Sequence, residues 1–168
     1  MKRLYLLRHA KSSWKDSSLP DHDRPLAGRG RRAAKAMARH VREHGVEPEL
    51  VLCSTARRAR ETLDRIESAL GSPTVRVESD LYAASAPALL ERLRGLPDTV
   101  DSVMVIGHNP GLQELALELA RPASATSELA AKYPTGALAT LAFDASSWQD
   151  LNRDTAELVE LIRPRDLE

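Results

Sequence analysis

Apolar residues fall into short continuous runs separated by longer segments in which they recur every third or fourth position, and the two patterns alternate along the chain. The continuous runs predict strands near Leu4 to Leu7, Leu50 to Cys53, Val75 to Val77, Val103 to Ile106, Ala137 to Phe143 and Leu158 to Ile162. A strand covered on both faces has no solvent side to alternate, so its sequence reads as one apolar block. The periodic segments predict helices over Arg29 to His44, Ala56 to Leu70, Ala86 to Leu93 and Pro110 to Leu119, with a short one after Ser146. Strands alternating with helices imply an α/β protein, a three-layer α/β/α sandwich with a largely parallel central sheet. Two stretches, Ser12 to Ala27 and Arg121 to Thr135, lack either period and read as long loops. No repeat or linker divides the chain, so residues 1–168 are expected to form a single domain.

The chemistry lies just past the strands, because ligands of open α/β sheets collect beyond the carboxyl ends. The first run delivers Arg8-His9. The second leads into Ser54-Thr55-Ala56-Arg57-Arg58-Ala59-Arg60, and the fourth into Gly107-His108-Asn109-Pro110-Gly111. Asn109 with Pro110 reads as the start of a helix, and Ser54 or Thr55 can cap the helix carrying the arginines. Both helix starts would then aim N–H groups and positive dipole ends at the same sheet edge, an arrangement that suits phosphate. Each piece has a plainer reading as a turn residue or a solvated first turn, which is the favoured one for Arg57 and Arg60. A second Arg-His pair, Arg39-His40, lies inside a helical pattern and reads as part of a solvated face.

Composition narrows the classes. Basic and acidic residues balance at 24 each, so no field for nucleic acid or an anionic membrane is implied. The single cysteine, Cys53, rules out an internal disulfide and fits a reducing, cytoplasmic setting. Arg8, His9 and Lys11 cut the first apolar run too short for a signal peptide, and no run is long enough to span a membrane.

The blocks Leu7-Arg8-His9-Ala10, Ser54-Thr55-Ala56-Arg57-Arg58-Ala59-Arg60-Glu61-Thr62 and Gly107-His108 together resemble the histidine phosphatase superfamily. Its signature has Arg-His-Gly after the first strand, a second arginine in a Ser-Pro-Leu-x-Arg-Ala-x-Gln-Thr stretch, and a later Gly-His. Aligning Ser54, Ala59 and Thr62 selects Arg58 as the second arginine, and Ala10 replaces the usual glycine. The short length, Asp23-Arg24-Pro25-Leu26 and Tyr133-Pro134-Thr135-Gly136 look like the SixA-type phosphohistidine phosphatases. The resemblance implies a phosphoglycerate mutase-like fold and a metal-independent phosphatase without a cofactor, in which His9 takes the phosphoryl group covalently. Arg8, Arg58 and a protonated His108 would clamp the phosphoryl oxygens. Arg24 is a candidate for substrate binding, with ion pairing to Asp21 or Asp23 as the alternative.

A leaving alkoxide needs a proton from a positioned acid, whereas a protonated imidazole leaves without such help. Glu78 and Asp80 are the available carboxylates, but the sequence around them does not match the superfamily's acid-bearing motif, and a turn explains them as well. The expected substrate is therefore a protein phosphohistidine or another activated phosphate. A small phosphorylated metabolite and a non-catalytic phosphate or phosphopeptide module are the alternatives, and a monomer suffices for any of them. Two rivals fail on context. Gly28-Arg29-Gly30-Arg31-Arg32-Ala33 has the letters of a dinucleotide loop but comes after a polar, proline-bearing segment instead of a strand. Cys53 stands one residue too close to Arg58 for a cysteine phosphatase loop.

Overall fold

The computed structural model describes residues 1–167. Six strands form one sheet: β1 (Lys2–Arg8), β2 (Leu50–Ser54), β3 (Thr74–Glu78), β4 (Ser102–Gly107), β5 (Leu138–Phe143) and β6 (Ala156–Ile162). Their order is β3-β2-β4-β1-β5-β6, with β5 alone running against its neighbours. Five α-helices flank it: α1 (Gly28–Glu43), α2 (Arg57–Ile66), α3 (Ala86–Arg94), α4 (Gly111–Leu119) and α5 (Ser124–Ala131).

Alternation along the strands divides the core in two. Leu4, Leu6, Leu52, Val103 and Val105 pack with the apolar stripes of α3 and α4. Tyr5, Leu7, Val51, Cys53, Met104 and Ile106 point the other way, onto Met37 and Val41 of α1 and Leu63 and Ile66 of α2. Both faces of the central strands are thus covered, which is why they read as unbroken apolar runs. The result is the expected three-layer arrangement.

The differences from the sequence reading are local. Helix α5 lies in the stretch expected to be a loop. The short helix after Ser146 is a single 3-10 turn at Trp148–Asp150, and α2 ends at Ile66 with a 3-10 turn over Glu67–Ala69. Pro110 precedes α4 instead of opening it, and the peptide bond joining it to Asn109 is cis. The stretch from Ser12 to Ala27 is a loop that folds back on itself: Ser13 N–H donates to Pro25 O (2.8 Å) and Ala27 N–H to Lys11 O (2.9 Å). Gly30 lets α1 press against the start of this loop, since a Cβ there would stand 2.1 Å from Lys11 O.

Candidate active site

The three expected strand ends arrive at one level. Arg8 is in register with Gly107, and Cys53 with Ile106, so the residues after β1, β2 and β4 emerge together. They open into a cavity of about 440 Å³ whose walls include Arg8, His9, Arg24, Arg58 and His108. The loop from Ser12 to Ala27 adds Asp21 and Trp14, and the segment after β3 adds Tyr82. All five sequence-predicted site residues therefore meet in one place.

His9 is held at both ends of its peptide. Its own N–H donates to Gly107 O (3.0 Å), and Gly136, at φ +78°, donates its N–H to His9 O (2.9 Å). The ring's Nδ1 lies 2.7 Å from Ala10 O. A carbonyl can only accept, so Nδ1 carries the proton and Nε2 keeps its lone pair. Thr62 fixes that carbonyl's residue in turn: its Oγ1 accepts from Ala10 N–H (3.0 Å) while donating to Arg58 O (2.8 Å). Burial, followed by the neighbouring His108 and arginine charges, pushes the His9 pKa down to about 3, against the upward pull of the Ala10 bond. The ring is neutral at physiological pH.

Arg58 is buried and fully engaged. Its Nε donates to His9 Nε2 (3.3 Å), Nη1 to Asp21 O (2.7 Å) and Nη2 to Asp21 Oδ2 (3.0 Å). No motif marks Asp21 as a site residue, yet its carboxylate is the hub of the cavity wall: Tyr82 Oη donates to Oδ2 (2.5 Å) and Arg24 Nε to Oδ1 (3.2 Å). The Tyr82 bond, with Arg58 and Arg24 behind it, holds the Asp21 pKa down to about 2. Arg24 lines the cavity and pairs with Asp21 but not with Asp23. Its guanidinium also lies 3.4 Å from the ring centre of the exposed Trp14.

His108 sits beside His9, with ring centres 5.1 Å apart. Its Nε2 is 2.8 Å from Ser54 Oγ, which orients the histidine and also accepts Ala56 N–H (3.1 Å). Neither Ser54 nor Thr55 caps α2 as expected, since its N-cap is Ala56, without a side-chain capping bond. The role expected of His108 requires a proton, which its surroundings disfavour. Burial first, then the Arg58 charge, brings its pKa down to about 4, with Asp21 only partly opposing them. Arg8 reaches across to Tyr133 O through Nη1 (3.0 Å), and its buried Nε has no hydrogen-bond partner among the described residues. The expected free N–H groups at α4 are partly taken: Leu112 N–H by His108 O and Gln113 N–H by Asn109 Oδ1.

Other candidates fall away from the cavity. Glu78 is forked to Arg92 (2.8 and 2.9 Å), and neither it nor Asp80 lines the cavity. Arg57 pairs with Glu61 and Arg60 bonds Thr55 O, both at the surface as expected. Burial pushes the Cys53 thiol up to about 12, leaving it protonated and unreactive. Arg39 is exposed, but His40 is not part of a solvated face: it is buried, stacked on His44 and 3.3 Å from Glu160. Among the described residues no three His, Cys, Asp or Glu side chains gather as a metal-binding set, and no helix is long and apolar enough to cross a membrane.

The family model of the histidine phosphatase superfamily, branch 1, matches residues 4–139. An uncharacterized protein of Mycobacterium tuberculosis (strain H37Rv) is 36% identical over 163 residues, covering 95% of this chain and 100% of that protein. Among solved structures, a SixA-type protein from Nakamurella multipartitia is 33% identical, with a TM-score of 0.84 over 97% of this chain and 96% of that one. The protein histidine phosphatase SixA complexed with tungstate is 25% identical, with a TM-score of 0.81 over 99% of each chain.

Proposed function

The chain belongs to the histidine phosphatase superfamily, in its SixA-type branch, and from that membership we propose that it hydrolyses protein phosphohistidine through a covalent phosphohistidine on His9, without a metal ion. The observation that carries this reading is the state of His9: a neutral ring whose Nδ1–H is spent on Ala10 O, leaving the Nε2 lone pair in the cavity beside two guanidinium groups.

In the first step Nε2 attacks phosphorus in line, and as the new nitrogen–phosphorus bond forms the bond to the substrate's imidazole nitrogen breaks, that ring leaving as neutral imidazole because its other nitrogen carries a proton. Arg58 Nε, which donates to Nε2, transfers that hydrogen bond to a phosphoryl oxygen as the lone pair is used. Arg8 and Arg58 stabilise charge on the equatorial oxygens. A bound dianion raises the His108 pKa, so His108 takes up its proton with the substrate instead of holding it beforehand. Water then attacks the phosphoenzyme, inorganic phosphate leaves, and His9 returns to its neutral form. The positive charge needed comes from the arginines and His108. Tungstate, an oxyanion like phosphate, accompanies the related SixA structure.

Phosphohistidine is favoured over a sugar phosphate because the described cavity offers no carboxylic acid able to protonate an alkoxide. Asp21 stays ionised to a pKa of about 2, and Glu78 and Asp80 lie outside. A buried thiol as the one cysteine suits the cytoplasmic setting that the proposal includes. The acting species in this proposal is the monomer. The test compares turnover of a phosphohistidine peptide with that of glucose 6-phosphate in the presence of EDTA. The peptide is expected to be preferred in kcat/KM by about a hundredfold or more, the typical contribution of a missing general acid. Equal turnover of the sugar phosphate, or loss of activity in EDTA, would overturn the proposal.

A further inference from the structure

A second cavity, of about 540 Å³, adjoins the first, and Lys11 and Thr135 form part of the wall of both. Its lining is strongly cationic: Lys11, Arg29, Arg32, Lys132, Arg163 and Arg165 face it, and no acidic side chain among the described residues does. In a chain whose formal charge is zero, six cations around one groove are a local concentration and not a reflection of composition. Helix α1 supplies Arg29, Arg32, Ala33 and Ala36, which at intervals of three and four residues form one face, and its first turn carries no acid. Among the described residues Arg163 alone of the six forms ion pairs, with Asp166 at 3.6 Å and Glu128 at 3.9 Å, and its buried Nε has no hydrogen-bond partner there.

The groove is thus a concentrated cationic surface that adjoins the cavity of His9 through Lys11 and Thr135. In the wall of that cavity stands Trp14, 73% exposed, with Arg24 stacked on its ring. Exposed tryptophan is among the side chains that anchor protein interfaces, and together with the cationic groove it favours an acidic protein segment as the occupant. We propose that the basic groove docks an acidic segment of the phosphoprotein whose phosphohistidine enters the His9 cavity. This rests on the reading of the site given above. It makes charge beside the phosphorylated residue a determinant of substrate choice, acting through attraction and orientation and not through the chemical step.

The test uses a short fluorescein-labelled peptide rich in glutamate, without a phosphoryl group, and its glutamine counterpart, each titrated against the full chain by anisotropy. The glutamate peptide is expected to bind at least about tenfold more tightly at low salt, with the difference shrinking as salt rises. The double variant Arg29→Glu/Arg32→Glu is expected to lose that preference while hydrolysing p-nitrophenyl phosphate at the wild-type rate. Equal binding of the two peptides overturns the proposal. So does a preference that survives the charge reversal, and so does displacement of the glutamate peptide by inorganic tripolyphosphate in the absence of any peptide preference, which would assign the groove to a small polyanion. Because the probe carries no phosphoryl group, failure to hydrolyse phosphohistidine leaves this binding result readable.

Discussion

His9 and Asp21 illustrate how differently two residues of one cavity can be read. His9, Arg8 and His108 stand directly after apolar runs, and Arg58 lies in the first turn of α2, so the sheet's register brings them together once the strands are recognised. Asp21, Tyr82 and Trp14 arrive on irregular segments, whose return path no hydrophobic period encodes. Yet Asp21 decides the state of the site. Its carboxylate and carbonyl occupy both terminal nitrogens of Arg58, so an incoming phosphoryl group competes with it for the same donors. Removing that charge in Asp21→Asn is expected to tighten inhibition by inorganic phosphate about two- to fivefold, the scale of a partly exposed ion pair. Weaker phosphate inhibition in that variant would show that Asp21 instead holds Arg58 in its binding position.

Helices and strands with a strong period were legible, and the exceptions have physical reasons. Helix α5 has the sequence Ser-Ala-Thr-Ser-Glu-Leu-Ala-Ala, in which Leu129 alone is buried, so no apolar stripe announces it. It is fastened instead by Thr126, whose hydroxyl pairs with both N–H and C=O of Ala123, and by Gln113 reaching from α4 to Leu129 O. The G-x-G letters at the start of α1 have a packing role: Gly30 admits the Lys11 backbone against the helix. Gly30→Ala is expected to destabilise the protein by about 1–3 kcal/mol, the usual penalty for overpacking, and to lower kcat/KM by shifting the loop that carries Asp21 and Arg24. Thermal unfolding and steady-state kinetics check both effects; an unchanged Tm would mean that α1 and the loop separate freely.

At the scale of the molecule, the parallel strands β1, β2 and β4 end level, and the loops beyond them bring positive charge from three separate parts of the sequence to one edge. Burial at that edge acts on His9 as well as on the arginines. It disfavours the charged ring, so the His9 pKa falls to about 3 and the neutral nucleophile persists as pH drops from about 7.5 to about 5.5. A histidine of ordinary pKa would be about nine-tenths protonated at pH 5.5. The most direct measurement is rapid-quench trapping of the phosphoenzyme from phosphoramidate at about pH 5.5 and about pH 7.5, in wild type, His9→Ala and His108→Ala. An acid-labile, base-stable phosphoryl label is expected on wild type at similar rates at both pH values, at a reduced rate in His108→Ala, and not at all in His9→Ala. A label that persists in His9→Ala would contradict the assignment of His9 as the nucleophile.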